Sequence, residues 1–190
     1  MVQLHLVPAS IVLAAAMVAA VLDVWKFKVY NALTLPLLLS GLAYHGLTEG
    51  WSGLGTSALG VLFGFAVLLV PYAMGGVGAG DVKLMAAVGA WLGMPMTLYV
   101  FAASALASGA YAMALVLLSG SVRESWINFQ VVLLRIVALG QHLGGDVRLE
   151  EEVRRPDRRR RLVPFGAMVA VGFAAILAWC ILEEYYKSAI

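Results

Sequence analysis

The chain has 190 residues, of which 62% are hydrophobic and only 13% charged, about half the charged share of a soluble domain. A single core of this size cannot hide so much apolar surface, so composition excludes a soluble globular protein and points to one compact bundle in lipid. The formal net charge of +2 decides little, but its placement does: Asp146–Arg161 holds seven arginines and five acids, while Leu84–Ser121 holds no charge.

A membrane-crossing helix needs about 20 mostly apolar residues. Leu4–Leu22 is the first such run. Its positive charge, Lys26 and Lys28, follows it rather than preceding it as in a cleaved signal peptide, so it reads as a retained helix with its N-terminus outside. Leu33–Thr48 is the second span, with Pro36 near its start, where proline is tolerated. Leu54–Ala73 is the third, and its Gly60 and Gly64 have a spacing that lets helices approach closely. The glycine-rich stretch Gly75–Gly80 then leads into a fourth run, Val82–Leu92, closed by Gly93-Met94-Pro95. That run is only about 17 Å long at 1.5 Å per residue. Met96–Leu118 is a full-length fifth span.

The largest polar loop follows, over 119–162. Within it Trp126–Leu139 is apolar but short and interrupted by Arg135, which predicts a helix lying in the membrane interface. The segment Asp146–Arg161 is a solvated one, and its run Arg158–Arg161 suits anionic lipid headgroups; nothing beside it supports a nucleic-acid partner. Val163–Leu182 is the last span and contains the lone Cys180, which reads as a small buried hydrophobe. One cysteine makes neither an internal disulfide nor a cysteine metal cluster, and His5, His45 and His142 are scattered, so no metal or other cofactor is expected. The expected fold is all-α and integral to the membrane: about six transmembrane helices in one domain over 1–190, with an interfacial helix in the large cytoplasmic loop.

Charge bias supports that count. With six spans and the N-terminus outside, 12 of the 13 Lys and Arg residues fall on the inner face and only Lys187 lies outside. If Val82–Leu92 were instead re-entrant, the arginine-rich loop would move outside, against the rule. Trp51 and Trp91 then sit at the outer surface, and Trp25, Tyr72 and Trp126 near the inner one.

Two acids stand at the inner ends of spans: Asp23 at the end of the first and Asp81 at the start of the fourth. Ionisable groups at such depth are functional candidates by default. Two carboxylates that approach one another cannot both ionise cheaply and share a proton. The ionised partner takes a proton from water and the protonated one donates to a peptide carbonyl, which is aspartic protease chemistry. A structural alternative stands beside this: Asp23 pairs with Lys26 or caps a helix, and Asp81 is a helix N-cap. Gly75, Gly76, Gly78 and Gly80, just before Asp81, allow positive φ and the close approach that an extended substrate needs. A phosphate-binding loop is the competing idea, but its GxxxxGK[ST] pattern is absent.

The run Gly78-Ala79-Gly80-Asp81-Val82-Lys83-Leu84, continuing to Gly93, resembles the GxGD motif of the type IV prepilin peptidases, which are membrane aspartic proteases. Asp23, Lys26, Lys28, Asn31 and Thr34 are similar to that family's first catalytic aspartate with its basic stretch and Asn-x-x-Thr turn. Val163-Pro164-Phe165-Gly166 resembles the Pro-aromatic-Gly opening of the family's last helix. The resemblance implies catalytic roles for Asp23 and Asp81. It implies an enzyme of the cytoplasmic membrane that cuts the leader of pilin-like precursors on the cytoplasmic side, after a glycine. Gly75, Gly76, Gly78, Gly80 and Asn31 would shape the site, and Lys83 would tune the pair or contact the leader, unless it is only an inner-face anchor. The paired CxxC region of members that also methylate the new N-terminus is absent, so the short peptidase-only form of Flp or tight-adherence pili is expected, without N-methylation. Presenilin-like proteins also use GxGD, but their Pro-Ala-Leu motif is not found. Two other classes remain open: a transporter or pilus-assembly scaffold that uses the aspartates as an ion site, and a protease that cuts other helices within the membrane.

Overall fold

The computed structural model describes residues 6–26, 29–73, 77–119 and 164–188. The described residues form helices and short flanking turns, with no strand: α1 is Leu6–Lys26, α2 Asn31–Ala73, α3 Ala79–Ser119 and α4 Phe165–Ser188. All four are long and apolar enough to cross a membrane. The interfacial helix expected at Trp126–Leu139 and the arginine run Arg158–Arg161 lie outside the described residues. Residues 1–109 and 164–190 form one compact unit, and 110–163 form a second, of which the helical end of α3 is described.

Sequence patterning places six helical runs where the structure has four helical elements, two of them broken by a non-helical residue. The difference lies at two glycines. Gly50 in α2 has φ 66° and Gly93 in α3 has φ 70°, in the left-handed region that side chains with a Cβ avoid. These are the places where sequence puts the loops. Contacts show that α2 folds back at Gly50. Along its first arm, Asn31 reaches Lys83 and Gly41 lies against Ala90, so the partner number rises. Along the second arm, Ser57 bonds Ala90 and Gly64 lies against Met85, so it falls. A straight helix would hold Asn31 and Gly64 about 50 Å apart at 1.5 Å per residue, yet they flank the same short stretch of α3.

That stretch is the centre of the unit. From Asp81 to Trp91 every residue except Lys83 is buried. An apolar helix buried on all sides is a core helix rather than a lipid-facing one. Its end is finished by both arms of α2. Pro95 has no N–H to give the Trp91 carbonyl, and His45 Nε2 lies 3.0 Å from that oxygen. The Ser57 hydroxyl donates to the Ala90 carbonyl at 2.6 Å, and Trp91 Nε1 donates to the Leu37 carbonyl at 2.8 Å. Without water in the bilayer core, such groups need protein partners.

α1 packs on α4. The buried stripe of α1 is Ala9, Val12, Ala16, Ala19 and Asp23, one residue every three or four. Small side chains let the helices approach, and the same register delivers Asp23, at the end of the stripe, to the protein interior. The facing stripe of α4 begins at Phe165 and Gly166 and continues through Val169, Ala170 and Phe173.

Candidate active site

Asp23 and Asp81, 58 residues apart in the chain, line one cleft of about 300 Å³. Its other walls are Val29, Tyr30 and Asn31, between α1 and the first turn of α2, and Gly78, Ala79 and Gly80, at the start of α3. Both aspartates are buried.

The local backbone explains how each is held. The Tyr30 carbonyl accepts from Leu33 N at 3.0 Å and opens α2. Gly78 plays the same part for α3, its carbonyl accepting from Asp81 N at 3.1 Å. Asp81 is therefore not the N-cap but the third residue of the helix. Its Oδ2 accepts from Gly78 N at 3.2 Å, which is one half of a capping box. Its Oδ1 is buried and has no hydrogen-bond partner among the described residues. The Asp23 carboxylate meets a different helix: Gly166 N, in the first turn of α4, donates to its Oδ2 at 2.8 Å, and Ala167 N–H also bonds it. The two carboxylates thus sit among the N-termini of α2, α3 and α4, where free N–H groups and the helix dipoles favour negative charge.

The glycines act through space rather than through unusual φ. Among the described residues only Gly50 and Gly93 have positive φ, so Gly78 and Gly80 do not use that freedom. A Cβ on Gly80 would lie 2.8 Å from the Val29 carbonyl oxygen, and one on Gly78 would lie 3.2 Å from Asp81 Oδ2. Gly80 lets the Val29 wall close on the start of α3, and Gly78 clears the Asp81 carboxylate. Gly75 and Gly76 lie outside the described residues, as does the side chain of Lys26, so an Asp23–Lys26 pair is not addressed. Lys83 Nζ donates to Asn31 Oδ1 at 2.9 Å, tying the starts of α2 and α3 together across one end of the cleft. Thr34, the other member of the Asn-x-x-Thr turn, is fully buried.

Gly166 and Ala167 make contacts to Asp23 that sequence reasoning did not assign. The Pro164–Gly166 pattern was visible, but nothing in its composition says that it faces Asp23, 143 residues away. Among the described residues no three of His, Cys, Asp and Glu come together as a metal site requires.

Fold and site together define an all-helical membrane protein with a pair of buried carboxylates gathered at helix ends. The chain belongs to the type IV leader peptidase family, whose model matches residues 10–113, more than half of its length. It is 35% identical over 115 residues to a prepilin leader peptidase/N-methyltransferase of Aeromonas salmonicida strain A449, covering 57% of this chain and 39% of that one. It is 32% identical over 119 residues to a protein of the same description from Bacillus subtilis strain 168, covering 61% of this chain and 47% of the other. The chain therefore spans less than half the length of these curated relatives. No solved structure matches it.

Proposed function

We propose that this chain is an aspartic endopeptidase that removes the leader of type IV pilin-like precursors, with Asp23 and Asp81 activating water. The observation that carries the reading is the meeting of these two carboxylates in one cleft from motifs far apart in sequence. One carboxylate, ionised, takes a proton from the attacking water. The other, protonated, donates to the carbonyl oxygen of the scissile peptide. Asp81 Oδ1 carries no other bond among the described residues, which suits either role. Family membership supports a leader as substrate.

In this reading the helical arms cross the bilayer six times, with both termini outside and the cleft at the cytoplasmic face of the inner membrane. The positive-inside count supports that orientation. The all-round burial of 81–91 supports a crossing by a helix too short to span lipid alone. Co-expression with a candidate precursor tests the function by a size shift on a gel. Asp23→Asn and Asp81→Asn are each expected to insert normally and to lower processing by about 10³-fold or more, the scale of losing a member of a catalytic unit. Normal processing by either variant would overturn the assignment, and solute movement without a size shift would favour a transporter.

A further inference from the structure

The α4 N-terminus has a feature that helix capping alone does not require. Its N-cap position is Pro164, which has neither an N–H nor a side-chain acceptor, and the Pro164 carbonyl closes the first turn by accepting from Met168 N at 3.1 Å. The free N–H groups of that turn instead point at a carboxylate from another helix, Asp23. The fit is tight. A Cβ on Gly166 would lie 3.0 Å from Asp23 Oδ2, 3.2 Å from its Cβ and 3.3 Å from its Cγ. Any larger residue would push the carboxylate by at least a few tenths of an ångström. The anchoring is also rigid, because Phe165 and Val169, on the same helix face, are buried in the shared core.

We propose that the first turn of α4, through Gly166 and the N–H groups of Gly166 and Ala167, is the positioning element of the Asp23 carboxylate. It fixes the side chain's rotamer and presents it to the cleft shared with Asp81. The inference rests on the proposed protease reading, with Gly166 acting through Asp23 rather than touching substrate.

The test combines kinetics with a readout that does not need activity. In Gly166→Ala the added methyl group displaces the carboxylate. The carboxylate must give by a few tenths of an ångström, and since misplacement by about 1 Å costs on the order of 10²-fold in rate, kcat is expected to fall by about 10-fold. KM should stay within about twofold and membrane insertion should match wild type, because the leader does not contact Gly166. In parallel, glycine-selective ¹⁵N labelling follows the Gly166 amide, assigned by its loss in Gly166→Ala. Asp23→Asn weakens the bond it makes and should move its proton upfield. A kcat for Gly166→Ala within about twofold of wild type would overturn the proposal, as would a Gly166 amide unmoved by Asp23→Asn. If Gly166→Ala fails to insert, Ala167→Pro replaces it. That change removes one N–H in the first turn, where the helix ladder does not need it, and should lower kcat by about 10-fold. An unchanged kcat there would again overturn the proposal. If wild type cleaves no precursor, the protease reading fails, and the amide shift alone decides whether α4 holds Asp23.

Discussion

Each aspartate accepts at Oδ2 from a glycine N–H at a helix N-terminus, Asp81 from Gly78 and Asp23 from Gly166. The two bonds differ in kind. Gly78 lies three residues before Asp81, so that bond forms with the helix itself, whereas the Asp23 bond exists only once α1 and α4 have packed. Beside them, the Lys83–Asn31 bond joins the two walls of the cleft but lies at an exposed position. A net hydrogen bond there is worth about 0.5–1.5 kcal/mol. Lys83→Met is therefore expected to lower kcat/KM by about 2- to 10-fold in the leader-cleavage assay, without loss of inserted protein. Asn31→Ala should cost a similar factor, and the double variant no more than either single one, since both remove the same contact. Additive losses would show that Lys83 acts elsewhere, for instance on the leader or as a headgroup anchor.

At the scale of helices, the short central arm of α3 depends on small residues around it. A Cβ on Gly60 would overlap the Gly89 carbonyl oxygen and lie 2.9 Å from the Gly93 Cα, all backbone that cannot swing aside. Gly60→Ala is expected to destabilise by about 1–3 kcal/mol, the usual cost of overpacking, seen as a lower unfolding midpoint in detergent. Gly109 is the contrast: among the described residues nothing lies within 4 Å of its Cβ position, so Gly109→Ala should be neutral or stabilising by about 0.5–1 kcal/mol. How much of this is written locally can be read from the same residues. The Gly60 and Gly64 spacing announced close packing, and Gly50 and Gly93 fall where sequence ends its helical runs. The start of α3 was legible too, because a GxGD segment carries its own turn chemistry. What sequence could not show is which helix each glycine faces. Gly60 meets Gly89, and Gly166 meets Asp23, only through tertiary contacts that no periodicity encodes. Of the two freedoms the sequence offers the glycines before Asp81, positive φ and close approach, Gly78 and Gly80 use only the second.

Over the whole molecule, the fold-back of α2 at Gly50 puts that turn away from the cleft. Asn31, at one end of the first arm, lines the cleft, and Gly50 lies about 28 Å along the helix from it at 1.5 Å per residue. That length matches the hydrocarbon thickness of a bilayer, about 30 Å. The two ends of this arm therefore belong at opposite membrane surfaces, and the aspartates share the surface that holds Asn31. In the proposed orientation that surface is the cytoplasmic one, which charge bias supports: Lys83 stands beside the cleft, whereas Trp51 follows the Gly50 turn with no Lys or Arg between Val29 and Val82. Single cysteines introduced in a Cys180→Ala background turn this into a measurement with a membrane-impermeant thiol reagent on intact cells. Trp51→Cys, at an exposed position, should label from outside. Tyr30→Cys, at the exposed rim of the cleft, should label only after the cells are opened. The reverse pattern would place the cleft outside the cytoplasm and remove the proposed side of cleavage. Labelling of both from outside would contradict the crossing of the first arm, and with it the six-crossing reading of the fold.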